Sequence, residues 1–254
     1  MNNSNFCLIE NLSFGFEKSN NIIENLSLSV EEGSLTLLTG RNGSGKSILL
    51  RLIKGLLQPT KGSIIIEGED LTNHPNRRNK KVALVFQDAD IQIVGQTVKK
   101  DLLFGLENLQ MPLEEQNKRL DYIATLLNLT ALMDKRPRLL SGGEKRRLSI
   151  AASLVMYPKI VMLDEPFANL DYEGVKQVLN SLLVLQKAKT TIIVATHEIE
   201  KIAAHASSII VLDEKRVALQ EPSVTAVEKV GNYGIRRPSV NGKPIEVSEL
   251  TWLK

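Results

Sequence analysis

Eight consecutive residues, Gly40-Arg41-Asn42-Gly43-Ser44-Gly45-Lys46-Ser47, satisfy the pattern G-x-x-x-x-G-K-[ST], whose parts divide the work of holding phosphate. The glycines let backbone N–H groups converge on phosphate oxygens, where a side chain would block the approach. Lys46 brings positive charge to the β- and γ-phosphates, and the Ser47 hydroxyl suits a Mg2+ shell. A second pair, Asp164-Glu165, ends the apolar run 160–163. Asp164 suits the same shell. Glu165, one residue on, is expected to point the other way and to orient or deprotonate a water. A third stretch is Leu140-Ser141-Gly142-Gly143-Glu144. Ser141, with Glu144 three residues on, reads as a capping box. Gly142 and Gly143 also expose backbone N–H groups to an anion at a helix start, and both readings can hold together.

The phosphate-binding pattern carries weight only between a strand and a helix. Residues 35–39 are a continuous apolar strand, and 46–54 read as a helix with Gly55 near its end. Further strands are expected at 7–9, 12–16, 26–30, 63–67, 82–86, 160–163, 191–195 and 209–212. Helical spacing marks Leu102, Leu103, Leu106 and Leu109, then 113–127, 144–156, 172–185 and 198–205. Alternation of strand and helix argues for an α/β fold with a mostly parallel core sheet covered on both faces. The β-rich start adds an antiparallel β-subdomain, and about 88–158 reads as an inserted helical subdomain. The main domain then spans 1–220. Residues 221–254, punctuated by Gly231, Gly234, Pro238, Gly242 and Pro244, fit no periodic pattern and read as a C-terminal extension.

The order of these motifs resembles that of ABC ATPases over residues 6–220. Leu140–Glu144 looks like the ABC signature, about twenty residues before Asp164-Glu165. Gln87, after a strand, resembles the Q-loop glutamine, which reaches nucleotide and magnesium. Ala168-Asn169-Leu170-Asp171 resembles the D-loop, and His197, after the strand at 191–195, the switch histidine. Phe16 sits where the family places an aromatic against adenine, with Phe14 as the alternative. His74 and His205 have no place in the series and read as structural. The resemblance implies ATP and Mg2+ as ligands. It implies Glu165 and His197 as catalytic residues, the former polarising water and the latter steadying the γ-phosphate. It also implies a head-to-tail pair of subunits, in which Ser141 and Gly143 serve the ATP of the other chain.

The stretch Asp88-Ala89-Asp90-Ile91-Gln92 through Phe104-Gly105-Leu106-Glu107-Asn108, with Tyr233-Gly234-Ile235-Arg236-Arg237-Pro238, resembles the ATPases of energy-coupling factor importers. That resemblance implies a transmembrane coupling protein and a substrate-binding membrane protein as partners. The second ATPase subunit is either identical or a paralogue, and the place is the cytoplasmic face of the membrane, held peripherally. Cargo would be a vitamin or transition-metal ion. Two departures stand out: Lys145-Arg146-Arg147 where Lys-Gln-Arg is frequent, and Lys99-Lys100 where acidic residues are frequent. Residues 88–108 are expected to line the groove for the coupling protein.

Composition sets the bounds. The 254 residues are 43% apolar and 4% aromatic, enough for a core built on Ile, Leu and Val. A net charge of +3, from 32 basic and 29 acidic residues, is too balanced to imply nucleic acid, and none is expected as a partner. The basic run at 77–81 reads as a solvated loop. The single cysteine, Cys7, cannot form an intrachain disulfide, which fits a reducing compartment. The polar start 1–5 lacks a signal-peptide pattern, and no apolar run reaches the ~20 residues of a membrane span. An ordinary ABC importer or exporter ATPase is the nearest alternative. A nontransport ABC protein acting on nucleic acid is more distant, since such chains carry two domains or long heptad coiled coils.

Overall fold

The structure, a computed structural model, describes residues 5–17, 20–237, 239–240 and 243–253. Residues 1–4, Pro238 and Gly242, whose types were read above, lie outside them. Five strands form the parallel part of the main sheet: β3 (Leu35–Gly40), β6 (Val82–Val85), β7 (Ile160–Asp164), β8 (Thr191–Ala195) and β9 (Ser208–Asp213). Their order is β9-β3-β8-β7-β6, and β10 (Arg216–Pro222) adds an antiparallel edge beside β9. A second sheet is antiparallel, ordered β2-β1-β4-β5, from β1 (Asn5–Phe14), β2 (Ile23–Glu31), β4 (Lys61–Ile66) and β5 (Glu69–Asp70). The two stretches expected at 7–9 and 12–16 are one strand, β1, whose register shifts between Ile9 and Leu12. Asn11 sits at φ 50° in that bulge.

The parallel strands explain the long apolar runs. Leu37, Val161, Leu163, Ile192, Val194, Ile209 and Val211 face one hydrophobic cluster. Their neighbours Leu38, Ile160, Met162, Ile193, Ile210 and Leu212 face the other. Alternate side chains of a strand point to opposite faces, so a sheet covered twice needs apolar residues at both. The first cluster takes helices α3 (Val98–Asn108), α4 (Leu113–Leu126), α5 (Gly142–Leu154) and α6 (Tyr172–Lys187); the second takes α1 (Lys46–Lys54) and the antiparallel sheet. Helices α3 to α5 all lie between β6 and β7 in the chain. Cys7 is wholly buried in the second cluster, and burial pushes its thiol up to about 12.

Two expectations need correction. Residues 77–81 are not a solvated loop but part of α2 (Pro75–Lys81). Arg78 is buried there, donating to the carbonyl of Leu71 at 2.7 Å and to that of Thr72. Residues 198–205 are not one helix but two 3-10 turns, Ile199–Lys201 and Ala203–His205, broken at Ile202 with φ −142°. The tail, read above as a C-terminal extension without a periodic pattern, is built of short elements. It forms α7 (Ser223–Lys229) and buries Ala226, Val227, Val230, Ile235 and Leu250 in the first cluster.

Arg78 and its neighbour Arg77, which pairs with Glu69 at an exposed site, should respond differently to loss of charge. Arg78→Met leaves two inward carbonyls without a donor and is expected to cost about 1–3 kcal/mol. Arg77→Met is expected to cost under about 1 kcal/mol. Denaturant unfolding of both variants measures this, and equal losses would contradict the role given to Arg78.

Candidate nucleotide site

The loop between β3 and α1 builds the floor of the site. Gly43 holds φ 82°, and a Cβ there would enter open space, so the backbone alone faces the cleft. Gly45, at φ 98°, is the residue before α1, and no side chain caps that helix. The first backbone N–H groups of α1 are therefore left to a ligand. Gly40 is needed for a different reason: a Cβ would lie 2.4 Å from the Leu212 carbonyl. Lys46 is buried and donates from Nζ to the carbonyls of Gly40 at 2.8 Å and Arg41 at 3.3 Å. Burial lowers its pKa, while the charges of Glu165 and Asp164 pull the other way.

Asn42 to Ser47 line a cavity of about 440 Å3 together with Gln87, Asp164, Glu165, Ala168 and His197. Separate chain segments thus converge at the C-terminal ends of the parallel strands, where α/β sheets hold ligands. Ile22 and Ile48 also line it; nothing in their spacing marked them beforehand. Burial raises the pKa of Asp164, with Glu165 adding to the rise; a hydrogen bond from Ser47 and the charges of Lys46 and Arg51 oppose it. Its Oδ1 is buried without a partner. A buried orphan carboxylate oxygen beside a serine hydroxyl is a hard oxygen donor pair, the chemistry that Mg2+ takes. These residues fit the ion.

Glu165 departs from expectation. It does not continue the strand alternation away from Asp164. Its φ is 44°, in the left-handed region, and both carboxylates line one cleft. A non-glycine residue held there is strained and must be fixed by its surroundings. Its N–H donates to the Ala195 carbonyl at 2.8 Å. Its carboxylate takes the Thr196 hydroxyl at 2.8 Å on Oε2 and meets His197 Nδ1 at 2.9 Å on Oε1. An ionised carboxylate only accepts, so in that state Nδ1 carries the proton. Thr196 is buried and was missed from sequence. A polar residue ending an apolar strand one step before His197 was the available signal.

Several residues grouped with the site lie elsewhere in this chain. Phe16 is 68% exposed, edge-on to Phe14 at 5.1 Å, and lines a different cleft with Asn11 and Thr60. Ser141 accepts from Glu144 N at 3.2 Å while its own N–H donates to the Glu144 carboxylate at 2.7 Å, completing the capping box. Gly142 lines the adjoining cleft with Ser47, Gln87 and Asp164. Gly143 packs on Gly174, where a Cβ would lie 2.8 Å from the glycine Cα. Asp171 caps α6, accepting from Gly174 N at 2.8 Å. None of Phe16, Ser141, Gly142, Gly143 and Asp171 lines the cavity holding Lys46.

The three basic residues after the signature glutamate tie α5 to its neighbours. Lys145 Nζ meets Asp90 at 2.7 Å. Arg146 donates to the carbonyls of Phe86 and Gln87, and Arg147 to those of Leu127 at 2.9 Å and Asn128 at 2.8 Å. The arginine at 146 therefore holds the backbone that carries Gln87. Burial lowers the pKa of its guanidinium, opposed by Asp88 and Asp164.

The family model described as ABC transporter matches residues 23–168. The chain is 38% identical over 241 residues to the energy-coupling factor transporter ATP-binding protein EcfA2 of Clostridium acetobutylicum, covering 88% of this chain and 84% of that one. It is 39% identical over 224 residues to the EcfA1 protein of Ligilactobacillus salivarius, covering 85% and 78%. The structure of cbiO1 from Clostridium perfringens, described as part of the ABC transporter complex cbiONQ, superposes with a TM-score of 0.82 at 31% identity, over 90% of this chain and 95% of that one. Shared sequence, shared fold and a phosphate-binding cleft with a fixed carboxylate agree: this chain belongs to the ABC transporter family, with the energy-coupling factor transporter ATP-binding proteins, and is an ATPase.

Proposed function

We propose that the chain hydrolyses ATP by in-line attack of water on the γ-phosphate, with Glu165 accepting the proton of that water. The observation that carries this is the Glu165 carboxylate, held by Thr196 and His197 inside the cleft that also contains Lys46. A base fixed by two hydrogen bonds keeps its orientation as the barrier is crossed. Lys46 and the backbone N–H groups of 43–47 bind the phosphates and spread their charge. His197 uses Nδ1 for Glu165, which leaves Nε2 for the γ-phosphate. Ser47 and Asp164 would hold Mg2+, with Gln87 beside them, and the ion supplies further neutralisation of phosphate charge. Phe16, exposed in a separate cleft, is assigned to adenine on its place in the motif order.

The active unit is a head-to-tail pair. Ser141 and Gly143, at the start of α5, lie outside the cavity of their own chain, and Ser141 is exposed while Gly143 is buried; their place outside that cavity supports their use on nucleotide held by a second subunit. The pair docks on a transmembrane coupling protein and a substrate-binding membrane protein that carry a vitamin or transition-metal ion, at the cytoplasmic face of the membrane. The names of the energy-coupling factor transporter relatives and of the cbiONQ transporter complex support membrane partner proteins; the kind of cargo and the face of the membrane rest on the resemblance of the motifs. Among the described residues, no helix is long and apolar enough to cross a membrane. The docking surface is the 88–108 region. Ile91 and Val94 stand out from it at 70% and 60% exposure. A cleft of about 580 Å3 opens beside them, between Asp90, Ile93, Gly95 and Gln96 on one side and Arg136–Arg138 on the other.

Glu165→Gln is expected to keep nucleotide affinity within about twofold while turnover falls at least about a hundredfold. Equilibrium binding and steady-state hydrolysis measure the two, and wild-type turnover would remove Glu165 from its role. Cysteine crosslinking from positions 91 and 94 in the assembled complex is expected to capture the coupling protein; capture only from positions outside 88–108 would refute the docking surface.

A further inference from the structure

The tail reaches the site from behind. Trp252 lies 4.6 Å from Lys201 Nζ, measured to the ring centroid, and 5.6 Å from the Tyr172 ring. The same ammonium faces the Phe167 ring at 5.9 Å. Lys201 is buried, and its Nζ is ion-paired with Glu198. An ammonium removed from water needs counter-charge, and one carboxylate and two aromatic faces supply it here. Trp252 is brought there by anchored backbone: the Leu250 carbonyl accepts from Ala204 N at 3.1 Å, and Thr251 Oγ1 meets His205 Nε2 at 2.7 Å.

Two partners of this ammonium border a catalytic group: Phe167 follows Glu165 by two residues, and Glu198 follows His197. The Glu198 N–H donates to Thr196 Oγ1 at 3.1 Å, and that hydroxyl donates to Glu165. We infer that Lys201, covered by Trp252, is a positioning residue for hydrolysis: it pins the 196–198 turn through Glu198, and that turn presents Thr196 and His197 to the Glu165 carboxylate. The inference rests on Glu165 being the base, as proposed above. Trp252 and Lys201 are absent from the lining of the phosphate cavity, so they act on the rate without touching nucleotide.

The test uses the full chain with Trp252→Ala, Trp252→Phe and Lys201→Met beside Glu165→Gln, with rates normalised to the folded fraction. Trp252→Ala and Lys201→Met are expected to lower kcat roughly ten- to hundredfold with nucleotide Kd within about twofold. Trp252→Phe, which keeps an aromatic face on the ammonium, is expected to restore most of the rate. Unchanged kcat in Trp252→Ala, alongside a stalled Glu165→Gln, overturns this inference alone. So does a loss of nucleotide binding in step with kcat, or a Trp252→Phe as impaired as Trp252→Ala, because a general weakening of the fold gives those results. Wild-type turnover in Glu165→Gln removes the reading beneath it.

Discussion

The parallel sheet is buried on both faces, and that constraint decides where polar chemistry can sit. Strands β3, β7 and β8 are buried along their whole lengths. A charged side chain within them would have to be desolvated without a partner, which costs several kcal/mol. Reactive groups are thereby displaced to the strand ends. Lys46, Asp164, Glu165 and His197 all follow that rule, since each lies at or shortly after the end of a strand. Even there burial is deep enough to raise Asp164 and lower Lys46 from their ordinary values. The opposite charges meet at the one edge where backbone donors and solvent also reach.

A second level of organisation hangs on α5. Its three consecutive basic residues reach in different directions, to Asp90, to the carbonyls that flank Gln87, and to the C-terminal end of α4. Guanidinium groups suit that work because their donors form a planar fork and stay charged when buried. The helix that starts at the signature is thus bonded directly to the segment holding Gln87. Asp101 adds to that order by accepting from the N–H groups of Val94 and Gly95 at 2.8 Å each.

What could be seen in the sequence follows from how local the physics is. The bounds of α1 were legible because left-handed glycines, Gly45 and Gly55, stand at both ends. The buried strands were legible because short apolar runs without alternation, bounded by turn residues, suit a strand covered on both faces. The orientation of Glu165 was not, because a left-handed turn overrides strand alternation and depends on Ala195, Thr196 and His197, which are distant in the chain. The run at 77–81 misled because charge normally marks solvent, whereas Arg78 turns inward to carbonyls. Residues 198–205 misled because their apolar spacing suits a helix, while the Glu198–Lys201 pair and the φ of Ile202 hold two tight turns instead. The tail was opaque since its apolar residues, Ala226, Val227, Val230, Ile235 and Leu250, are buried against elements distant in the chain.

One contact has a mechanical side. Gly143 and Gly174 bring α5 and α6 together backbone to backbone, at the N-terminal ends of both helices. Helices usually lock their crossing angle by setting side-chain ridges into grooves. A joint made of two glycines has no ridge, so it resists separation of the two ends more than it resists a change of angle. It sets the spacing between residues 140–144 and 168–171. A Cβ at position 143 would press on the Gly174 backbone and force the two helix starts apart, and with them residues 140–144 and 168–171, which open α5 and lead into α6.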